Sequence, residues 1–160
     1  MTTQFKRPVS VLVVIHTREP EILLLERALH PGYWQSVTGS QEGEESLIET
    51  AVREVREETG IVAATTDIVD WHVTNTFEIF EEWRHRYAPN VCHNEEHVFS
   101  LEVDKDAPVH ISPEEHIAYC WLDYKSAAAK VFSWSNRDAI LQLPKRLKTV
   151  HIAPPSPSCP

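Results

Sequence analysis

Basic residues are scarce in this chain: across 160 residues, 15 Lys and Arg face 24 Asp and Glu, leaving a net charge of −9. Such an excess of acids argues against a sequence-independent grip on phosphate backbones, so no nucleic-acid partner is expected. An anionic ligand would need a bridging cation or a local basic pocket. Cysteine is equally sparse. Cys92, Cys120 and Cys159 are odd in number and widely spaced, which fits neither a disulfide framework nor a zinc ribbon and suits a reducing cytoplasm. Long apolar runs are missing as well. The run Val9 to Ile15 follows Lys6 and Arg7 as a signal-peptide core would, but charge returns at Arg18 and Glu19 with no small-residue cleavage site. It is too short to cross a bilayer, so no membrane partner is expected either. With 42% apolar residues, 24% charged residues and only 4 glycines, the composition is globular and excludes collagen, coiled coil and disorder.

The length fits one domain. Val9 to Ile15 reads as a strand covered on both faces, with Ile22 to Leu25 as its hairpin partner across a polar turn. Thr38-Gly39-Ser40 reads as a loop leading into an acidic stretch. From about Ser46 to Thr59 the spacing of Ile48, Ala51, Val52 and Val55 predicts a helix that Gly60 stops. His72 to Phe80, Val98 to Val103 and His116 to Leu122 read as strands. Alanine-rich Lys125 to Lys130 and the pattern of Asn136 to Leu143 suggest short helices. Interleaved strands and helices without a repeat favour an α/β or α+β layered domain over residues 1–143. The segment 144–160 is proline-rich and is expected to be a mobile tail.

The chemistry concentrates in Gly39 to Ile61, GSQEGEESLIETAVREVREETGI. On a helix, Glu54, Glu57 and Glu58 fall at i, i+3 and i+4, within one sector of the surface. Like charges at that spacing destabilise a helix, and Arg53 and Arg56 only partly offset six acids between Glu44 and Glu58. A hard divalent cation, Mg²⁺ with Mn²⁺ as substitute, would supply the missing charge and hold a polyphosphate against an acidic surface. A solvated, salt-bridged helix face explains the same spacing equally well.

The segment resembles the signature of the Nudix hydrolases: a glycine, five residues, a glutamate, seven residues, then Arg-Glu-apolar-any-Glu-Glu-any-Gly-apolar. Gly39, Glu45, Arg53, Glu54, Val55, Glu57, Glu58, Gly60 and Ile61 fill every fixed position. At single-residue usage of ~6%, a chance match anywhere in such a chain is on the order of 10⁻⁷. The resemblance implies a mixed sheet sandwiched between helices and hydrolysis of a nucleoside diphosphate linked to another group. It also implies that Glu54, Glu57 and Glu58 bind catalytic cations, with Arg53 orienting them by charge-assisted hydrogen bonds. Gly39 and Gly60 would lend the flanking loops backbone freedom. Some family members use an acid outside the box, and Glu115 is the candidate here for metal ligand or base.

Further segments, KRPVSVLVVI, WQSVTGS, FEIFEEWRHRYAP, EEHIAYCWL and SWSNR, resemble the branch of the family that acts early in folate synthesis. That branch cuts dihydroneopterin triphosphate between the α and β phosphates, giving the monophosphate and pyrophosphate. The resemblance carries substrate contacts to Lys6, Arg27, Thr38, Phe77, Glu78, Ile79, Phe80 and Ser133, and metal to Glu54, Glu58 and Glu115. Lys6 and Arg27 suit phosphate oxygens, and Phe77 or Phe80 suits the face of a planar ring. Strand alternation sets Phe77 and Ile79 on one face and Glu78 and Phe80 on the other, so the four should not enter one pocket together. Arg84, His85 and Arg86 form a small basic patch that could reach a triphosphate, with a solvated turn the favoured reading, and Trp34, Trp121 and Trp134 read as core or pocket wall. A broader nucleoside triphosphate pyrophosphatase acting on a substrate such as dATP, and a non-catalytic nucleotide-binding module, are the competing functions.

Overall fold

The structure is a computed structural model describing residues 4–151. Its centre is β1 (Val9–His16), a run rich in β-branched residues that is buried along nearly its whole length. It pairs in parallel with β6 (His93–Glu102), from Val9↔Glu95 to His16↔Glu102, and β6 pairs antiparallel with β5 (Ile68–Glu78). On its other side β1 meets β2 (Glu21–Arg27) and β4 (Val37–Ser40). The sheet is completed by the short β3 (Trp34–Gln35) and by β7 (His116–Asp123), both antiparallel to β2.

The expected hairpin of β1 and β2 exists but is short: the two strands share the single register pair His16↔Ile22. Beyond it they splay, because β4 takes the β1 edge from Ser10 to Val13 and β7 takes β2 over its whole length. Thr38-Gly39-Ser40 is therefore strand rather than loop.

Three helices complete the layers: α1 (Leu47–Thr59), α2 (Tyr124–Lys130) and α3 (Trp134–His151). Ala51 and Val55 of α1 bury against Val11, Val13, Ile15 and Phe99 on one face of the sheet. Leu12, Val14, Ile22, Leu24 and Val98 project to the other face, where Ala127, Ala139, Ile140 and Leu143 of α2 and α3 cover them. Each of the valine, leucine, isoleucine and phenylalanine side chains contributes roughly 1.5–3 kcal/mol by leaving water. This is the α/β/α sandwich the interleaved pattern implies.

The last helix does not stop at Leu143. It runs through Pro144 to His151, although proline removes one intrahelical hydrogen bond. Tertiary contacts on both sides of Pro144 hold it: Leu143 is buried, Leu147 packs on the same cluster, and the Arg146 guanidinium lies 4.3 Å from the Trp71 ring centroid. The remainder of the expected tail, residues 152–160, lies outside the described residues. Of the tryptophans, Trp34 and Trp121 pack partly buried against the two cores, whereas Trp134 opens α3 and stands exposed. No helix among the described residues is long and apolar enough to cross a membrane.

Candidate active site

Helix α1 is fixed at both ends. Ser46 and Glu49 form a reciprocal capping box at its start, Glu49 N–H donating to Ser46 Oγ at 3.2 Å and Ser46 N–H to Glu49 Oε1 at 3.1 Å. Gly60 closes it in the left-handed conformation at φ 75°, a conformation glycine adopts without steric cost. The helix therefore presents one register. Ala51, Glu54, Val55 and Glu58 share its buried stripe, so two of the three box glutamates are carried into the protein while Glu57, with a side chain 49% exposed, stays at the rim.

Arg53 organises these acids from behind. Its Nε and Nη2 grip Glu45 at 3.0 and 2.7 Å, Nη2 also donates to the Ser40 carbonyl at 2.9 Å, and Nη1 donates to Glu54 at 2.9 Å and Glu57 at 3.2 Å. The bidentate hydrogen bond from Arg53 holds the Glu45 carboxyl down to about 2, despite the opposing cost of burial. Glu45, a fixed position of the box, is thus engaged by Arg53. Gly39 supplies a different condition. A Cβ there would lie 2.0 Å from Glu54 Cδ, and its φ is not in the left-handed region. Space for Glu54, rather than the backbone freedom expected from the sequence, requires glycine at this position.

Glu54 and Glu58 are 8% and 2% exposed and hydrogen-bonded to one another. Burial raises both carboxyls. Glu58 is raised further by the charges of Glu54 and then Glu115, against a stabilising hydrogen bond from the Thr38 backbone N–H. Glu58 Oε2 has no hydrogen-bond partner. His116 Nε2 lies 3.5 Å from Glu58 Oε1, and burial, with the charge of Arg27 second, holds its ring neutral by lowering it to about 4. Glu58, Glu115 and His116 offer ligand atoms within 4.8 Å of one another, the arrangement among the described residues able to hold a metal ion.

These groups open on a cleft of about 1030 Å³ that is also lined by the cations Lys6, Arg7, Arg27 and Arg86. Lys6 and Arg27 are both lowered from their usual values, first by burial and then by the charge of Arg86. Arg27 reaches Gln35 Oε1 at 3.0 Å through Nη1 while its buried Nε has no partner. The cleft thus gathers acids and cations within electrostatic reach of one another, a composition suited to a metal-bridged polyphosphate.

Of the residues expected from the sequence, the cleft gathers Lys6, Arg27, Thr38, Glu54, Glu57, Glu58 and Glu115, with Arg53 behind the acids. Phe77, Glu78, Ile79, Phe80 and Ser133 are not in its lining. Glu78 pairs with Arg84, and Ile79 is buried, its carbonyl accepting from Arg84 Nε at 3.0 Å. Phe80 is exposed, so the alternation expected for this stretch holds. Of the two readings of the Arg84 to Arg86 patch, the less favoured one fits Arg86, which lines the cleft because the Lys6 backbone N–H bonds to its carbonyl at 2.8 Å and ties the two cations together. His116 carried no sequence signal beyond opening a strand.

A NUDIX domain profile matches residues 6–143. The chain belongs to the Nudix family. Among curated relatives, this Nudix chain is 47% identical over 141 residues to dihydroneopterin triphosphate diphosphatase of Escherichia coli, covering 86% of this chain and 93% of that protein. It is 41% identical over 140 residues to the protein of the same name from Haemophilus influenzae, covering 86% and 87%. The solved structure of the Escherichia coli dihydroneopterin triphosphate pyrophosphohydrolase superimposes with a TM-score of 0.80 at 45% identity, covering 86% of this chain and 95% of that one.

Proposed function

We propose that this Nudix hydrolase converts dihydroneopterin triphosphate and water to dihydroneopterin monophosphate and pyrophosphate in the cytoplasm, with Mg²⁺ as its metal. The observation that carries the reading is the gathering of Glu54, Glu58 and Glu115 with Lys6, Arg27 and Arg86 in the lining of one cleft. Similarity to the two curated diphosphatases supports the choice of substrate, and the free thiols of Cys92 and Cys120 suit a reducing compartment.

The residues fit a hard cation. All three carboxylates offer oxygen, and the buried Glu58 Oε2 has no hydrogen-bond partner. Glu54, Glu58 and Glu115 would hold Mg²⁺, which when bound neutralises phosphate oxygens and acidifies a coordinated water. Lys6, Arg27 and Arg86 bind the triphosphate and set the α–β bridge against the acids. A carboxylate of the cleft accepts the proton of the attacking water, and the bond broken is that between Pα and the bridging oxygen, which leaves with pyrophosphate. Arg53 keeps Glu54 and Glu57 aimed by its hydrogen bonds. Phe77 to Phe80 and Ser133, outside the cleft, remain for the ring end of the substrate.

Product analysis tests this reading. Dihydroneopterin triphosphate incubated with enzyme and Mg²⁺ gives monophosphate and pyrophosphate in equal amounts, and stepwise release of inorganic phosphate contradicts it. The second reading, a broader nucleoside triphosphate pyrophosphatase, is favoured by the cleft's phosphate- and metal-directed lining, which does not encode a base.

A further inference from the structure

On the face of the sheet covered by α3, a second group of polar side chains is buried without a role in the cleft. Asn94 and Glu96 alternate along β6, so both leave the same face as Val98. They are 4% and 5% exposed. Asn94 Nδ2 donates to Ser10 Oγ at 2.8 Å, and the Ser135 hydroxyl hydrogen-bonds to Glu96. Asn136 is locked to Ser36 in both directions: its Oδ1 accepts from Ser36 N–H at 2.8 Å, and its Nδ2 donates to Ser36 Oγ at 2.9 Å.

Within this network, two acceptors have no donor: Asn94 Oδ1 and Glu96 Oε1. Buried polar atoms of native proteins are nearly always paired. Two unmet acceptors two residues apart on one strand face constitute a site short of N–H groups. Burial also pushes the Glu96 carboxyl up to about 7, as expected for an anion awaiting donors.

The surroundings suit a flat ring. Phe77 and Asn75 of β5 are the register partners of Asn94 and Glu96, and both are half-buried. Ser133, whose Oγ accepts from the Asn136 N–H at 3.3 Å, follows Phe132. Phe132 belongs to an aromatic group with Phe80 and Trp83, and the Trp83 ring lies 4.9 Å from the Arg27 guanidinium of the cleft. Ser36 precedes Thr38 of the cleft by two residues, about 7 Å along an extended chain. Of the residues that the cleft leaves out, Phe77 and Ser133 thus border this second group.

We propose that Glu96 and Asn94 form a ring-recognition subsite, accepting hydrogen bonds from a heterocycle that presents an amino group beside a ring N–H. This rests on the function proposed above and names what selects its substrate. The 2-amino-4-oxo edge of a pterin carries that donor pair, and guanine carries the same one. Adenine places an acceptor nitrogen beside its amino group, which would face the carboxylate unpaired. Polar mismatches of this kind discriminate strongly because they strand buried groups.

The test uses Glu96→Gln and Asn94→Leu in the full chain, each compared with wild type by thermal unfolding. KM and kcat are measured on dihydroneopterin triphosphate and dATP, and binding of phosphate-free 7,8-dihydroneopterin is measured by calorimetry. In either folded variant, KM for the pterin triphosphate rises about 10- to 100-fold with kcat little changed, KM for dATP does not rise, and dihydroneopterin binding is lost. An unchanged KM, an equal change on both substrates, or retained dihydroneopterin binding overturns the subsite. Should one variant fail to fold, the other decides. Wild-type enzyme inactive on the pterin triphosphate refutes the proposed reaction but not the subsite, which the dihydroneopterin binding arm still decides; absence of wild-type binding there overturns it.

Discussion

Gly39 stands where any side chain would overlap Glu54, since a Cβ at that position would lie 2.0 Å from the Glu54 carboxyl carbon. Gly39→Ala therefore displaces the Glu54 side chain while leaving the aliphatic core untouched. Misplacement of a catalytic group by about 1 Å lowers turnover on the order of 100-fold, so kcat/KM is expected to fall by that factor with Tm nearly preserved. Activity within about threefold of wild type would show that Glu54 tolerates another position.

Glu58→Gln removes one carboxyl from the cluster that buried Glu54 and Glu58 form with exposed Glu115. Two effects of opposite sign follow. Without metal, like-charge crowding is relieved, so the variant unfolds at the same or a higher temperature than wild type. With millimolar Mg²⁺, wild type gains stability by mass action while the variant does not, and EDTA abolishes the gain. Thermal unfolding with and without metal checks both. An equal metal-dependent gain in the variant would remove Glu58 from the metal site.

Acid should weaken the clamp between Arg53 and Glu45. The folded carboxyl of Glu45 is lowered to about 2 by Arg53 from a usual value of 4.5. A depressed carboxyl contributes stability that is complete above the unfolded value and disappears as pH falls through the folded one. Discounted for solvent screening of this pair, that contribution is on the order of 1 kcal/mol at neutral pH. Glu45→Gln is thus expected to be less stable than wild type by about this amount at pH 7, with the difference shrinking between about pH 4.5 and 2. Urea titrations at a series of pH values measure it, and a constant difference across the range would contradict the assignment.

Much of this was legible in the chain itself, and what was not has physical reasons. Helix α1 could be bounded because Ser46 caps it and Gly60 ends it, both local signals. The end of α3 could not: Pro144 is a local stop signal, overridden by burial of Leu143 and Leu147 on either side of it. Strand β4 was hidden because Thr38-Gly39-Ser40 looks like a turn until β1 pairs with it and Glu54 demands the glycine. In the cleft, helical spacing groups Glu54, Glu57 and Glu58, and resemblance to the Nudix signature gives them and Glu115 their role, whereas Arg86 and His116 arrive from distant segments whose meeting no periodicity encodes.

Arg86 accordingly yields its own prediction. Substitution to Gln removes a cation from the phosphate wall without touching an acid, so KM for a triphosphate should rise about tenfold with kcat reduced less. Steady-state kinetics on one triphosphate substrate suffices. A fall in kcat at constant KM would instead give Arg86 a role confined to the transition state.

The central claim, a metal-bridged pyrophosphohydrolase selective for a pterin triphosphate, is tested most directly by competing substrates. Pyrophosphate release is measured from dihydroneopterin triphosphate, dATP, dGTP and GTP at equal concentrations, each with Mg²⁺ and with EDTA. The expected result is a metal-dependent kcat/KM highest for the pterin, with no release in EDTA. Equal or faster release from the nucleotides, or release that persists in EDTA, would contradict it.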